Sequence, residues 1–227
     1  MPKAVKPKKR IPPQARPAEP RRRPQQERGE RRVEEILDAA AAVIAEVGVE
    51  AATTNAIAER AGSSVGSLYH FFPNKEAIVL GLAARYESEM KQLNQVAMQG
   101  EADKLPVALM AEGIVTPLVG FMERNPAYMP VFYATKDPHN PRCMTDELSE
   151  TIVGLVDRLM ATRAPHVAPA HRHLQASVAV ELVHRMLEYA WMSPPSERQG
   201  IVGELKRLLA LYSEMIDSGR DPLKNEK

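Results

Sequence analysis

The chain has 227 residues, of which 44% are hydrophobic and 5% aromatic, and this composition predicts a soluble, helix-rich protein with a substantial core. Cys143 is the single cysteine, which excludes an internal disulfide framework and favours a reducing cytoplasm. No apolar run is long enough to cross a bilayer, and no apolar signal core follows the basic first residues. We therefore expect a cytoplasmic protein with no membrane partner.

The formal net charge of +1 conceals a strongly basic N-terminus. Residues 1–32 contain 12 Lys or Arg and 3 Glu, so the remaining residues carry 18 basic and 26 acidic side chains. Seven prolines lie within the first 24 residues and oppose a long helix. We predict that residues 1–27 form a disordered cationic arm that favours a polyanionic partner, although a solvated tail with no partner would have the same composition.

A first helix is predicted over about residues 29–47, and Gly48 would end it. Its apolar residues recur at helical spacing: Ile36, Leu37, Ala40, Val43, Ile44 and Val47.

Two short helices follow in the sequence. Thr53 or Thr54 can cap the first of them, and Gly62 would end it. Ser64 can cap the second, which contains residues 65–69. The pair predicts a helix-turn-helix unit, because a tight turn with glycine joins two short helices.

A longer helix begins after this unit, and Asn74 is its predicted cap. Six residues of this helix are expected to face inward: Ile78, Val79, Leu82, Tyr86, Met90 and Leu93.

The C-terminal half is also predicted to be helical. Ser196 and Gln199 have the spacing of a capping box at the start of the last helix. The loop "KDPHNPRC" separates the helices predicted at about 126–134 and 145–162. No strand pattern is present, so the predicted fold class is all-α. The predicted helices span about residues 104–124, 126–134, 145–162, 169–192 and 196–217.

The second short helix has the side chains of a helix that enters the major groove. Gly66 and Ser67 would allow close approach of the backbone, and Val65 could contact a thymine methyl group. Ser64 lies at the helix N-terminus, where a phosphate can bind. Tyr69 and His70 could reach the flanking DNA backbone.

Lys75 stands at the start of the longer helix. A cation in the first turn opposes the helix dipole, and an anion between the lysine and the helix would reverse that cost. A phosphate would serve, although a solvated surface lysine fits the same position.

Together these residues resemble the DNA-binding domain of the TetR (tetracycline-repressor-like) family of bacterial transcription regulators. The resemblance covers about residues 29–80, and Ser63 departs from it because the family usually has an apolar residue there. The matching residues are Thr54, Ile57, Ala58, Ala61, Gly62, Ser64, Gly66, Ser67, Leu68, Tyr69, Phe72, Asn74, Lys75 and Glu76.

The resemblance implies a role for each of these positions. Three residues would face base edges: Val65, Gly66 and Ser67. The phosphate contacts would be Thr54, Ser64, Tyr69, His70 and Lys75. The core of the unit, with no part in recognition, would be Ile57, Ala58, Leu68 and Phe72.

The resemblance also implies a homodimer that binds double-stranded DNA at a palindromic operator as a repressor. It would release the DNA when a small-molecule effector enters the C-terminal helical domain. The implied organisation is an N-terminal three-helix DNA-binding domain over residues 28–76, a larger ligand-binding and dimerisation domain over 77–219, and a flexible tail over 220–227. Residues 169–192 and 196–217 form amphipathic helices suited to a four-helix dimer bundle, although they could also lie wholly within the monomer core.

Methionine and aromatic residues of the C-terminal half are candidates for an adaptable effector pocket, although simple core packing explains each of them equally well. The predicted pocket residues are Phe121, Met122, Tyr133, His184, Tyr189 and Trp191. No metal site is predicted, because His171 and His173 are two residues apart and would point away from each other on a helix. The other residues considered as metal ligands are His139, Cys143 and His166, and these are also assigned to the surface.

The sequence contains no catalytic constellation, Gly-rich phosphate loop or nucleophile elbow, so we predict neither an enzyme nor a bound cofactor. Two alternatives remain at this stage. One is a hydrolase or transferase on a helical scaffold, and the other is a helical nucleic-acid or protein-interaction module without an effector.

Overall fold

The computed structural model describes residues 23–97, 104–135 and 146–219, and within these ranges the chain forms nine helices and no strand. The predicted all-α fold class is confirmed. Most of the predicted arm, the predicted tail and the loop "KDPHNPRC" lie outside the described residues. The helices are α1 (Arg23–Ala51), α2 (Thr54–Arg60), α3 (Val65–Phe71), α4 (Lys75–Ala97), α5 (Val107–Arg124), α6 (Tyr128–Thr135), α7 (Asp146–Arg163), α8 (Pro169–Met192) and α9 (Pro195–Ser218).

Helix α1 differs from its prediction at both ends. It begins at Arg23, inside the predicted arm, and Pro24 suits this first turn because proline has no N–H to leave unpaired. Gly48 interrupts the helix with φ 78° and ψ 169°, but one further turn follows, closed by Ala52 N–H donating to the Gly48 carbonyl at 3.2 Å. The buried stripe stops at Ile44, and Val47, which the pattern placed inside, is 52% exposed.

Side-chain caps define the helices of the N-terminal region. Thr53 rather than Thr54 caps α2, accepting a hydrogen bond from the Ala56 N–H at 3.1 Å. Asn74 caps α4 as predicted, with its Oδ1 2.8 Å from the Ala77 N. Because Thr53 performs the capping, the Thr54 hydroxyl is left for other partners.

The capping box predicted for the last helix is wrong. Pro194 occupies the N-cap position of α9, and no side chain there makes a capping hydrogen bond. Pro195 begins the helix, since its fixed φ is already helical and it has no N–H that needs a cap. Ser196 and Gln199 therefore lie inside the helix, two positions too late for the motif.

Helix α4 connects the helix-turn-helix with the C-terminal helices. Its inward residues form part of the core as predicted, with Leu93 half-buried and the others at most 6% exposed. Helix α6 packs against both α1 and α4, while α5, α7, α8 and α9 pack around the distal part of the molecule. The predicted domain boundary after residue 76 falls in the first turn of α4. None of the described helices combines the length and the apolar character that a bilayer crossing requires.

Candidate nucleic-acid interface and interior cavity

The turn between α2 and α3 is built on Gly62, whose φ of 58° lies in the left-handed region that glycine adopts without strain. The Gly62 N–H donates to the Glu59 carbonyl at 3.0 Å, and the Ser63 N–H donates to the Ala58 carbonyl at 2.8 Å. These two bonds form a Schellman motif, which satisfies carbonyls that the end of a helix leaves unpaired. The motif forms although Ser63 has no apolar side chain to pack at this position.

Buried side chains hold α2 and α3 against α1 and α4. Ile57 and Ala58 are 1% exposed, Leu68 is fully buried and Phe72 is 9% exposed. The predicted core of the unit is therefore confirmed. Because these residues fix the inner faces of α2 and α3, the opposite face of α3 is fixed in its orientation towards solvent.

The N-terminal half of α3 exposes small and polar groups. Ser64 caps the helix as predicted, accepting from the Ser67 N–H at 3.1 Å, so its own O–H remains available as a donor. Gly66 is exposed, and a Cβ built on it would have no neighbour within 4 Å. Ser67 and Val65 are half-buried, with Val65 also packed against the core. The fold itself does not require a glycine at 66.

Two of the predicted phosphate contacts meet across the unit. The Thr54 hydroxyl at the start of α2 lies 3.2 Å from the Tyr69 hydroxyl near the end of α3. Tyr69 is 46% exposed, and His70 beside it is exposed with its ring in edge contact with Phe71. The two hydroxyls form a pair at one side of the exposed α3 face.

Lys75 has partners that the sequence did not predict. Its ammonium donates to the Val49 and Glu50 carbonyls, both at 3.1 Å, in the turn that follows Gly48. These carbonyls lie at the end of α1, where the intrahelical acceptors have no following N–H. Lys75 therefore joins the end of α1 to the start of α4.

Sequence reasoning missed Arg32, which supports the recognition turn from α1. Its guanidinium donates to the carbonyls of Ala61 and Gly62 at 3.4 and 3.3 Å, and to Glu35 at 2.6 Å. No local motif indicates this role, because Arg32 lies 29 residues before the turn that it contacts.

The helix-turn-helix segment carries little charge of its own. Residues 53–76 contain two basic and two acidic side chains. Arg60 is engaged by Glu46 through two hydrogen bonds of 2.9 and 2.7 Å, and this bidentate pair lowers the pKa of Glu46 and raises that of Arg60. The segment therefore has no excess of basic side chains with which to attract a polyanion.

An interior cavity with two chambers lies among the C-terminal helices. The cavity volume is about 50 Å³ in the large chamber and about 30 Å³ in the small chamber, and the space between atoms is about 660 and 400 Å³ when the open solvent at their mouths is included. Helices α4, α5 and α8 contribute to both, α7 and α9 to the large chamber, and α6 to the small one. Leu118 and His184 line both chambers and stand at their junction.

The large chamber is mainly aliphatic, with walls that include Ile114, Ile152 and Leu209. Its polar margin contains Arg163 and Asp217, which form an ion pair in which the Arg163 Nε lies 3.0 Å from the Asp217 Oδ2. Asn94 is 5% exposed and donates to the Met90 carbonyl at 2.9 Å. Asn94 was missed by sequence reasoning, although it continues the inward stripe of α4 four residues after Met90 as the first polar member.

His184 is the polar group at the junction. Its Nδ1 lies 3.0 Å from the Val180 carbonyl, which can only accept, so Nδ1 carries the proton and Nε2 of the neutral ring is an acceptor. Burial is the largest cause that lowers the pKa of His184, to about 4, with Arg185 lowering it further. His184 is half-buried, and the part of the residue that stays accessible borders the two chambers.

The six predicted pocket residues lie in different places. His184 and Met122 line the cavity. Phe121 instead belongs to an aromatic cluster with Tyr86 and Tyr128, at centroid distances of 6.0 and 5.2 Å. The remaining three lie outside both linings: Tyr133, whose hydroxyl donates to Glu188 at 2.9 Å; Tyr189, which is 56% exposed; and Trp191, whose ring stacks under the Arg198 guanidinium at 4.4 Å.

The histidines considered as metal ligands are distributed over the surface. His166, His171 and His173 are exposed, and His139 and Cys143 lie outside the described residues. Within the described ranges, no three His, Cys, Asp or Glu side chains are grouped as a metal site.

Comparison with known proteins assigns both halves of the chain. Residues 36–82 match the model of bacterial regulatory proteins of the tetR family, and residues 106–212 match the tetracyclin repressor-like C-terminal domain. The chain is 35% identical over 92 residues to the transcriptional repressor KstR of Mycolicibacterium smegmatis, covering 40% of this chain and 43% of that protein. It is 26% identical over 192 residues to KstR of Rhodococcus jostii, covering 82% and 84%.

The fold is also found among solved structures. The transcriptional regulator FadR from Bacillus subtilis in complex with stearoyl-CoA superimposes with a TM-score of 0.58 at 17% identity, covering 83% of this chain and 99% of that one. The two family models together span both the helix-turn-helix and the helices around the cavity. The chain therefore belongs to the TetR family of bacterial transcriptional regulators.

Proposed function

We propose that this protein is a homodimeric repressor that binds a palindromic operator and leaves it when a small molecule occupies the cavity. The observation that carries the proposal is the path of α4, which begins at Lys75 beside the helix-turn-helix and contributes Asn94 to the large chamber. Nineteen helical steps of 1.5 Å separate these two residues by roughly 28 Å along one continuous helix. The names of the relatives support repression, and the stearoyl-CoA bound to FadR supports an effector that contains a long apolar chain.

The exposed face of α3 would enter the major groove. In this proposal Val65, Gly66 and Ser67 face base edges, because they occupy the open N-terminal half of the helix. The surrounding phosphates are held by Thr54, Ser64, Tyr69, His70 and Lys75. The small net charge of residues 53–76 indicates that the basic residues before position 33 supply much of the salt-dependent affinity.

The outer faces of α8 and α9 would form the dimer interface. They expose large apolar side chains, which monomeric proteins seldom group on one surface, and a Cβ built on Gly200 or Gly203 has no neighbour within 4 Å. Two copies of this helix pair would form a four-helix bundle. The exposed apolar residues are Leu174, Val178, Tyr189, Met192, Leu208 and Leu211.

Release of DNA would follow from a change in the position of α4. A ligand that fills the large chamber contacts the distal end of α4 near Asn94, and the start of α4 is tied to α1 by Lys75. A tilt of α4 would therefore move α3 relative to α3 of the partner subunit. An operator fixes the spacing of its two half-sites. A small change in the distance between the two α3 helices of the dimer is therefore enough to weaken binding.

The test is selection of DNA by the full-length protein from a random library, followed by a screen for compounds that release the selected DNA. We expect one palindrome to be enriched, and we expect Ser67→Arg to change the enriched sequence while Lys75→Ala weakens binding to all sequences about equally. Lack of enrichment over random DNA would instead support a nucleic-acid or protein-interaction module without an operator. We assign no catalytic activity, and we place the protein in the cytoplasm with its operator DNA.

A further inference from the structure

We propose that the effector is an uncharged, elongated and largely aliphatic molecule with a hydroxyl group in the interior of its chain, and that this hydroxyl donates a hydrogen bond to Nε2 of His184. This inference rests on the proposed function, because it concerns the same cavity. It adds the chemical class of the ligand and the residue that selects it.

The length of the ligand follows from the chambers. Along α5 the lining runs from Met110 in the large chamber, through Leu118 at the junction, to Met122 in the small chamber. Twelve helical steps of 1.5 Å make this distance about 18 Å. A molecule that occupies both chambers is therefore long, and it contacts Leu118 and His184, because these two side chains line both chambers.

The aliphatic character follows from the walls. The large chamber receives its surface chiefly from isoleucine, leucine, valine and methionine side chains of the four helices α5, α7, α8 and α9. The small chamber adds Tyr128 and Phe132. Such walls favour hydrocarbon over polar groups along most of the ligand, since a polar group without a partner is costly to bury.

The hydroxyl follows from His184. Its Nδ1 is committed to the Val180 carbonyl, and Nε2 makes no hydrogen bond with any described residue. A neutral imidazole with its proton on Nδ1 offers only a lone pair at Nε2, so a complementary group must be a donor. The position of His184 at the junction places this donor in the interior of the ligand and not at its end.

The same geometry disfavours an ionised group at this point. A carboxylate presents lone pairs to the lone pair of Nε2, and it can bind there only if the imidazole takes up a proton within an apolar cavity. The charged side chains of the lining already have partners, since Arg163 pairs with Asp217 in the large chamber and Glu188 of the small chamber pairs with Arg185. An uncharged donor binds at Nε2 without protonation of the imidazole and without disturbing these charged pairs.

Three twelve-carbon probes separate these possibilities by calorimetry on the full-length protein without DNA. 6-Dodecanol has an interior donor, 6-dodecanone has the same shape but only an acceptor, and dodecanoate is ionised. We expect 6-dodecanol to bind about tenfold more tightly than 6-dodecanone, which is the size of one hydrogen bond in a buried site. We expect dodecanoate to bind most weakly.

Two variants assign the preference to His184. His184→Leu removes the acceptor and should make the alcohol and the ketone bind equally, whereas Leu109→Met, at an exposed position of α5 outside both linings, should retain the tenfold ratio. If His184→Leu does not fold, His184→Phe keeps a ring of similar size without Nε2. Circular dichroism of each variant establishes folding before calorimetry.

Failure takes two distinguishable forms. Equal binding of alcohol and ketone to the unaltered protein, tightest binding of dodecanoate, or an alcohol preference that survives His184→Leu would overturn this inference and leave the effector cavity in place. Absence of binding by all three probes would overturn the cavity as a site for aliphatic effectors, and with it the apolar ligand in the proposed function.

Discussion

Replacing Gly62 and Gly66 by alanine, one at a time, is expected to change stability in opposite directions. At both positions a new Cβ would have no neighbour within 4 Å, so steric conflict contributes to neither effect. The difference lies in the backbone. Gly62 has φ 58°, whereas Gly66 is inside α3 and has a negative φ.

The magnitudes follow from these conformations. A left-handed backbone costs a non-glycine residue about 1–2 kcal/mol. The lower entropy of the unfolded chain offsets roughly 0.4–1 kcal/mol of this cost. Gly62→Ala should therefore destabilise the protein by roughly 1 kcal/mol. Gly66→Ala should stabilise it by about 0.5 kcal/mol, because alanine is the better helix former and Gly66 lies in the first turn of α3.

Urea denaturation at one fixed protein concentration measures both changes, since unfolding of an oligomer depends on concentration. The midpoint should fall for Gly62→Ala and rise or stay constant for Gly66→Ala. A midpoint for Gly62→Ala equal to that of the unaltered protein would refute the assigned strain at the turn.

Gly66→Ala is expected to weaken binding to the selected operator, in contrast to its effect on stability. Gly66→Ala adds a methyl group to the face proposed to approach the bases, so we expect a loss of about tenfold without loss of stability. The dependence on salt should not change, because no phosphate contact is removed. Unchanged affinity would show that residue 66 stays away from the duplex.

Three further substitutions test the contacts of Lys75, the burial of His184 and the proposed dimer interface. Lys75→Met should lower stability by about 1–2 kcal/mol through loss of two charge-assisted bonds, while Lys91→Met on the same helix should not, as followed by urea denaturation. For His184 the folded pKa of about 4 lies below the ordinary value of 6.5, so the unfolded chain binds more protons and stability falls as the pH drops from 6.5 towards 4. His184→Leu should remove about 2–3 kcal/mol of that fall between pH 7 and pH 4, and an identical acid limb in the variant would contradict it. Leu211→Glu should dissociate the dimer in sedimentation analysis and Leu80→Glu on α4 should not, so a dimer that persists in the former would move the interface elsewhere.

The elements that sequence could predict are those whose signal is local. Caps are examples, because Ser64 and Asn74 act on N–H groups three residues away. The inward stripe of α4 is another, because one helix face repeats every three or four residues. The left-handed position of Gly62 also has a local signal, because a glycine directly after the C-cap of a short helix favours that conformation.

The cavity was harder to predict because its walls come from six helices. The prediction from residue type favoured aromatic side chains, but Phe121 packs edge-to-face against Tyr86 and Tyr128 and lines neither chamber. Tyr189 has an apolar body but lies off the buried stripe of α8, which includes Val183, Leu187 and Ala190. Helical position would have been the better guide at that residue.

The predicted phosphate contact of Lys75 is compatible with its hydrogen bonds to the end of α1. Gly48 interrupts α1, and the carbonyls of Val49 and Glu50 in the following turn accept hydrogen bonds from Lys75, which lies 26 and 25 residues away, respectively. An ammonium has three N–H groups, and two of them are directed at these carbonyls. The third can still meet a phosphate, so fixing the lysine to the end of α1 would orient it before DNA arrives. The measurement that separates the two roles is the salt dependence of operator binding. A direct phosphate contact predicts a slope reduced by about one in Lys75→Met, whereas a purely structural role predicts weaker binding with the original slope.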